Sequence, residues 1–122
     1  MPQKAKILLV DDRAENLIAL EAILSSLNQE LVPVRSGEAA LKALLSDEFA
    51  VILLDVVMPE RNGFQVCREL KGNTEFNSIP VILVTSKDTA SDRYWGQQQG
   101  ADGYVTKPFT REELLRAVRR FA

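Results

Sequence analysis

The chain is expected to fold as an α/β, doubly wound (βα)5 domain around a five-stranded parallel sheet. Three observations predict it. Short apolar runs rich in Val, Ile and Leu alternate with longer segments whose apolar residues recur every three or four positions. Unbroken apolar runs suit parallel strands buried on both faces, and the alternation with helical spacing suits β-α units. Third, the runs end in residues able to do chemistry: Asp11-Asp12, Asp55, Thr85-Ser86 and Lys107.

In chain order, Lys6-Ile7-Leu8-Leu9-Val10 is the first strand. Ala14 to Leu27 places Leu17, Leu20, Ile23, Leu24 and Leu27 at helical spacing. Glu30 to Arg35 is a short second strand, and Pro33, which cannot donate to a ladder, puts it at an edge. Ser36 is a good N-cap for a helix with Ala40, Leu41, Leu44 and Leu45 on one face. Ala50 to Leu54 runs straight into Asp55. A carboxylate inside such a strand is costly, so Asp55 belongs where the strand ends, with Pro59 closing it off. Asn62-Gly63 opens a third helix bearing Phe64, Cys67 and Leu70, which Gly72-Asn73 ends. Ile79 to Val84 is the fourth strand. The helix from Ser91 to Gln99 is the least regular, because Gly96 within it costs about 1 kcal/mol against Ala; Gly100 follows as a C-terminal stop. Tyr104-Val105-Thr106 is the fifth strand. Thr110-Arg111-Glu112-Glu113 has capping-box spacing and starts a last helix with Leu114, Ala117, Val118 and Phe121 as its apolar face.

Composition narrows the function. The 122 residues suit one domain with a real core, spanning residues 1–122 with no further domain expected. Apolar residues make up 46% and charged residues 26%, ordinary for a globular protein. A net charge of −2 gives nucleic-acid binding no electrostatic support. The single cysteine excludes an internal disulfide, and Cys67 reads as a small buried hydrophobe. The apolar run after Met1-Pro2-Gln3-Lys4 is too short for a signal peptide, and no run approaches a membrane span, so a cytoplasmic protein is expected. The absence of histidine removes Ser-His and Cys-His nucleophile pairs and histidine metal sites. It also means that any phosphohistidine belongs to another molecule.

With the strands parallel, Asp11, Asp12, Asp55, Thr85 and Lys107 meet at one rim, the edge where α/β folds bind ligands. Three acids, a hydroxyl and a lysine suit a small divalent cation and a phosphoryl group.

Taken together, Asp11-Asp12, Asp55 with Met58-Pro59, Thr85-Ser86 and Lys107-Pro108 resemble the receiver domain of two-component response regulators, over Lys6 to Phe121. No one of these motifs is specific; four in the right order, each at a strand end, are. The resemblance implies a flavodoxin-like fold with strand order 2-1-3-4-5. It implies that Asp55 is the phosphoacceptor, holding the product as an acyl phosphate. By their chemistry Asp12 and Asp55 are the best Mg²⁺ ligands, with Asp11 close by, acting directly or through water; the resemblance adds the backbone carbonyl of Val57, and the cation would relieve the repulsion among the acids. Lys107 would meet a phosphoryl oxygen, and in receivers the bond to Pro108 is usually cis, aiming the lysine inward. Thr85 would hydrogen-bond the phosphoryl group while Tyr104 turns inward behind it, the two forming a switch. Val57, Ser86 and Lys87 occupy positions that set acyl-phosphate lifetime; Val57 and Lys87 offer no amide or carboxylate to position water, so slow self-dephosphorylation is expected. The output face would be the fourth helix, fifth strand and fifth helix, where Tyr94 and Trp95 either meet a partner or pack on the sheet. The implied partners are a histidine kinase or phosphotransfer protein and a downstream protein target, with no nucleic acid and no membrane, and the chain a monomer or weak dimer. It would be a signalling module and not a turnover enzyme.

The likeness is uneven along the chain. Asp11 to Pro59 resembles receivers of hybrid kinases and multidomain regulators; Ile79 to Pro108, with Tyr94-Trp95-Gly96 and Gln99-Gly100-Ala101, is more similar to stand-alone receivers of the chemosensory type that serves twitching motility. A natural mosaic, or an engineered or recombined chain, fits that pattern. Three rivals fit less well. A haloacid-dehalogenase-type phosphatase needs Asp-x-Asp after the first strand and a cap domain. A nucleotide or flavin binder needs a Gly- or hydroxyl-rich loop there, where Asp11-Asp12-Arg13-Ala14-Glu15 repels phosphate. An inert receiver-fold scaffold has no use for the full set of acids, hydroxyl and lysine.

Overall fold

The computed structural model describes residues 5–121. The Met1–Lys4 segment, which precedes the apolar run too short for a leader, lies outside the described residues, as does Ala122. Strands and helices alternate without exception: β1 (Lys6–Val10), α1 (Ala14–Leu24), β2 (Glu30–Val34), α2 (Gly37–Ser46), β3 (Val51–Leu54), α3 (Gly63–Lys71), β4 (Val81–Thr85), α4 (Ala90–Gln98), β5 (Gly103–Thr106) and α5 (Arg111–Arg119). All four strand pairings are parallel, in the order β2-β1-β3-β4-β5. This is the flavodoxin-like arrangement expected.

The strands at the centre are apolar because both faces are covered. On one face Leu8, Val10, Ile52, Leu54 and Leu83 pack with Ala40 and Leu44 of α2 and Phe64, Val66, Cys67 and Leu70 of α3. On the other, Ile7, Leu9, Leu53, Ile82 and Val84 pack with Leu17, Leu20 and Leu24 of α1 and Leu114, Leu115 and Val118 of α5. Side chains alternate faces at period two, so each strand supplies both layers. β2 is an edge strand, as Pro33 requires.

Boundaries shift where local chemistry dictates. The α1 pattern continues to Leu27, but the last three residues tighten into a 3-10 turn that ends at left-handed Asn28 (φ 55°). β4 begins at Val81 because Pro80 has no N–H to give. α4 starts one residue early: the Thr89 side chain accepts from the Asp92 N–H and Asp92 reaches back, a capping box. Gly100 follows with φ 95°, a conformation that favours glycine. Gly96 is buried within α4, and an added Cβ would lie 3.0 Å from the Tyr104 ring and 3.1 Å from Leu83. The glycine lets α4 approach the sheet.

Cys67 is fully buried and its thiol donates to the Gln99 carbonyl at 3.6 Å. Burial pushes that thiol up to about 11, so it is a core residue and no nucleophile. Trp95 does not pack on the sheet: it is 52% exposed and neighbouring Tyr94 61%. Among the described residues no helix is long and apolar enough to cross a membrane.

Candidate functional site

The acids meet because the ladders continue one residue past the strands. Val10 pairs with Val34 on one side and with Leu54 on the other. The next N–H groups then bond in the same register: Asp11 to the Val34 carbonyl at 3.2 Å and Asp55 to the Val10 carbonyl at 2.9 Å. Asp11 and Asp55 therefore emerge side by side at the carboxyl ends of β1 and β3. Asp12 joins them from the β1–α1 loop, and the carboxylates of Asp11, Asp12 and Asp55 offer oxygens within 4.8 Å of one another. Asp11 is 1% exposed and Asp55 7%, while Asp12 is half-buried.

Lys107 arrives from the far side. Its N–H bonds the Thr85 carbonyl at 2.8 Å, extending the β4–β5 ladder, and the bond to Pro108 is cis. Its ammonium lies 3.2 Å from Asp11 Oδ2 and 3.7 Å from Asp55 Oδ1. Asp11 Oδ1 accepts from the Arg13 N–H at 3.0 Å and from the Asn16 amide at 3.3 Å. Asp55 is less well compensated. Burial pushes its carboxyl up to about 6; the Lys107 charge pulls it back, Asp11 and Asp12 add repulsion, and the Val57 N–H relieves part of it.

Thr85 is fully buried at the end of β4, and its hydroxyl oxygen accepts from the Lys87 N–H at 3.3 Å. Tyr104 is half-buried, and its hydroxyl donates to the Lys87 carbonyl at 2.6 Å. The two expected switch residues are thus joined through the backbone of Lys87. The Arg93 guanidinium lies 5.2 Å from the centroid of the Tyr104 ring. Val57 (55% exposed), Ser86 and Lys87 are exposed.

Three carboxylates with no imidazole or thiolate among them form a hard oxygen set, which suits Mg²⁺ better than zinc or copper. Sequence reasoning missed two residues that shape the pocket. Asn16 is one. The other is Arg35, whose Nε and Nη2 donate to the Asp12 carbonyl oxygen at 3.1 and 2.8 Å. The Asn16 contact had a weak signal in its place on the first turn of α1; the Arg35 contact spans 23 positions and had none.

A family model described as the response regulator receiver domain matches residues 7–119. Protein PilH of Pseudomonas aeruginosa is 39% identical across 93% of this chain and 94% of its own length. Several other curated relatives are longer, and this chain spans about half of them, 48% in one case. Among solved structures, the chemotaxis protein CheY4 of Vibrio cholerae is 28% identical, with a TM-score of 0.90 covering 98% of this chain and 99% of that one. The receiver domain of the sensor histidine kinase PA1611 from Pseudomonas aeruginosa, solved with a magnesium ion coordinated in its active site cleft, is 31% identical, with a TM-score of 0.87 covering 97% of each chain.

Proposed function

The chain belongs to the response regulator receiver domains, and from that premise we propose that Asp55 accepts a phosphoryl group from a phosphohistidine on a partner histidine kinase or phosphotransfer protein. The observation that carries this reading is the placement of Asp55: at the end of a central strand, with two further acids and the Lys107 ammonium converging on it. An Asp55 oxygen forms a bond to phosphorus as the bond from phosphorus to the donor's imidazole nitrogen breaks, its electrons staying on that nitrogen. The product is an acyl phosphate. Asp11, Asp12, Asp55 and the Val57 carbonyl would hold Mg²⁺, which when bound supplies positive charge against the acids and the incoming phosphoryl oxygens.

Lys107 already bridges Asp11 and Asp55, so it needs only a small movement to reach a phosphoryl oxygen. The Thr85 hydroxyl accepts from the Lys87 N–H and can still donate its proton to the phosphoryl group, so a movement of Thr85 toward that group would pull on Lys87. Lys87 is bonded in turn by Tyr104, so the change reaches β5 and the adjoining helices. The face of α4, β5 and α5, with Tyr94 and Trp95 exposed, would then meet a downstream protein target. The reading is of a cytoplasmic signalling module, monomeric or weakly dimeric, that acts on no nucleic acid, membrane or external substrate.

Incubation with acetyl phosphate and Mg²⁺ followed by intact-mass measurement tests it. One phosphoryl group should appear on the wild type and none on Asp55→Asn; equal labelling of both would move the acceptor elsewhere. The phosphorylated form should also last. Val57 is apolar, and Lys87 carries no amide or carboxylate to position water for attack on phosphorus. A half-life of minutes or longer in Mg²⁺ is expected from the decay of the phosphorylated mass, and a half-life of seconds would contradict these assignments.

A further inference from the structure

Asp11 and Asp12 enter the pocket from one loop but are held in different ways. The Asp11 carboxylate is bonded on both oxygens, by the Arg13 N–H, the Asn16 amide and the Lys107 ammonium. Among the described residues none hydrogen-bonds the Asp12 carboxylate, which is half-buried. Its place is set through its backbone. Arg35 follows directly on β2 and donates twice, from Nε and Nη2, to the Asp12 carbonyl oxygen. Two donors of one rigid planar group on one oxygen fix a peptide in direction as well as distance. The segment that carries Arg35 is itself anchored on both sides. Val34 is paired with β1 and accepts the Asp11 N–H, and the Ser36 hydroxyl accepts from the Ala39 N–H at 3.0 Å to cap α2.

We infer that Arg35 is a positioning residue for the cation pocket, acting through the Asp12 peptide to hold the Asp12 carboxylate toward Asp11 and Asp55. The inference rests on the reading of these three acids as the Mg²⁺ ligands. Two effects of the guanidinium oppose each other. Its charge repels a divalent cation, while its hydrogen bonds keep a ligand in place. Arg35 is exposed, so water and salt screen the repulsion; the geometric constraint is not screened. Positioning therefore dominates, and loss of Arg35 weakens cation binding. Outer partners of metal ligands commonly change affinity by roughly 10- to 100-fold; an exposed partner acting through a backbone carbonyl should give less, about three- to tenfold.

The test is Mg²⁺ titration by calorimetry on the full chain, without phosphodonor, for wild type, Arg35→Ala and Arg35→Lys. Arg35→Ala should bind Mg²⁺ about three- to tenfold more weakly, in line with the loss of an outer partner. Arg35→Lys, which keeps the charge and loses the fork, should be weakened in the same direction. Metal-free melting temperature and far-ultraviolet circular dichroism should stay close to wild type, separating positioning from general destabilisation. Affinity in Arg35→Ala equal to or tighter than wild type overturns the inference, and should that variant not fold, an unchanged affinity in Arg35→Lys does so instead. Failure of the wild type to bind Mg²⁺ would overturn the cation pocket itself, which is a different result from a wild type that binds and a variant that binds equally well.

Discussion

Gly63→Ala should cost the fold about 3 kcal/mol or more, one of the largest effects of any single methyl group in this chain. A Cβ at Gly63 would sit 2.2 Å from the Asp55 carbonyl oxygen and 2.7 Å from the Val56 Cα. Both are backbone atoms, so neither can swing aside. The Gly63 N–H is also bonded to the Val56 carbonyl at 2.8 Å, which pins the first turn of α3 against the chain just after β3. Relief requires α3 to back away, taking Phe64, Val66, Cys67 and Leu70 out of the core. Gly96→Ala is the contrasting case. Its Cβ would meet only side chains, Tyr104 and Leu83, at 3.0 to 3.1 Å, and the gain in helix propensity offsets part of the crowding, so a change within about 1 kcal/mol is expected. Urea unfolding followed by circular dichroism measures both. A Gly63→Ala midpoint close to wild type would show that the strand end can shift away from the helix.

Asp55→Asn should do two things at once: abolish phosphoryl uptake and stabilise the metal-free protein. The second follows from the site's electrostatics. Burial raises the Asp55 carboxyl from its ordinary value near 3.8 to about 6, with Asp11 and Asp12 adding to it. Between those values the folded state holds the proton that the unfolded chain has released. Stability from this group is therefore greatest below about pH 4 and declines as pH rises through about 6, the reverse of a carboxylate held by ion pairs. Asparagine removes the dependence. In buffer with a chelator, the variant and wild type should be nearly equal at about pH 4. The variant should lead by about 1–3 kcal/mol at neutral pH, since a tenfold change in proton affinity corresponds to ~1.4 kcal/mol. The difference between the two unfolding curves reports Asp55 together with its coupling to Asp11 and Asp12, and cancels acids remote from the pocket. A constant difference across that range would mean that Asp55 is solvated and not strained by burial.

How much of this was legible before the structure depended on the range of the interaction. Strands such as Ile52-Leu53-Leu54 announce themselves because burial on both faces leaves an unbroken apolar run. Asp55 announces itself by ending one. Thr110 and Glu113, the capping box of α5, are visible for the same local reason. α4 looked poorly formed because Gly96 counts as a weak helix residue in isolation, and its capping box of Thr89 and Asp92 gave no signal, since the usual partner at the third helical position is Glu or Gln. The value of Gly96 lies in the space that Tyr104 and Leu83 occupy, which no local rule reveals. The same holds for Lys71, whose ammonium lies 2.7 Å from Asp102 and also bonds the Ile79 carbonyl at 2.9 Å. Those contacts join segments distant in sequence, and they depend on the topology being known first. The exposure of Trp95 was equally undetermined, since an aromatic on a short helix fits a core or a surface alike.

That last side chain gives the molecule an optical handle. Trp95 is the protein's one tryptophan, it stands half in water on α4, and it lies one residue from the glycine against which the Tyr104 ring rests. Indole emission responds to the polarity around the ring, so the chain carries a native fluorophore on the face through which it is proposed to signal. A protein that covers that helix will shift the emission toward the blue, and the interaction can be followed in solution with no dye attached and no residue replaced.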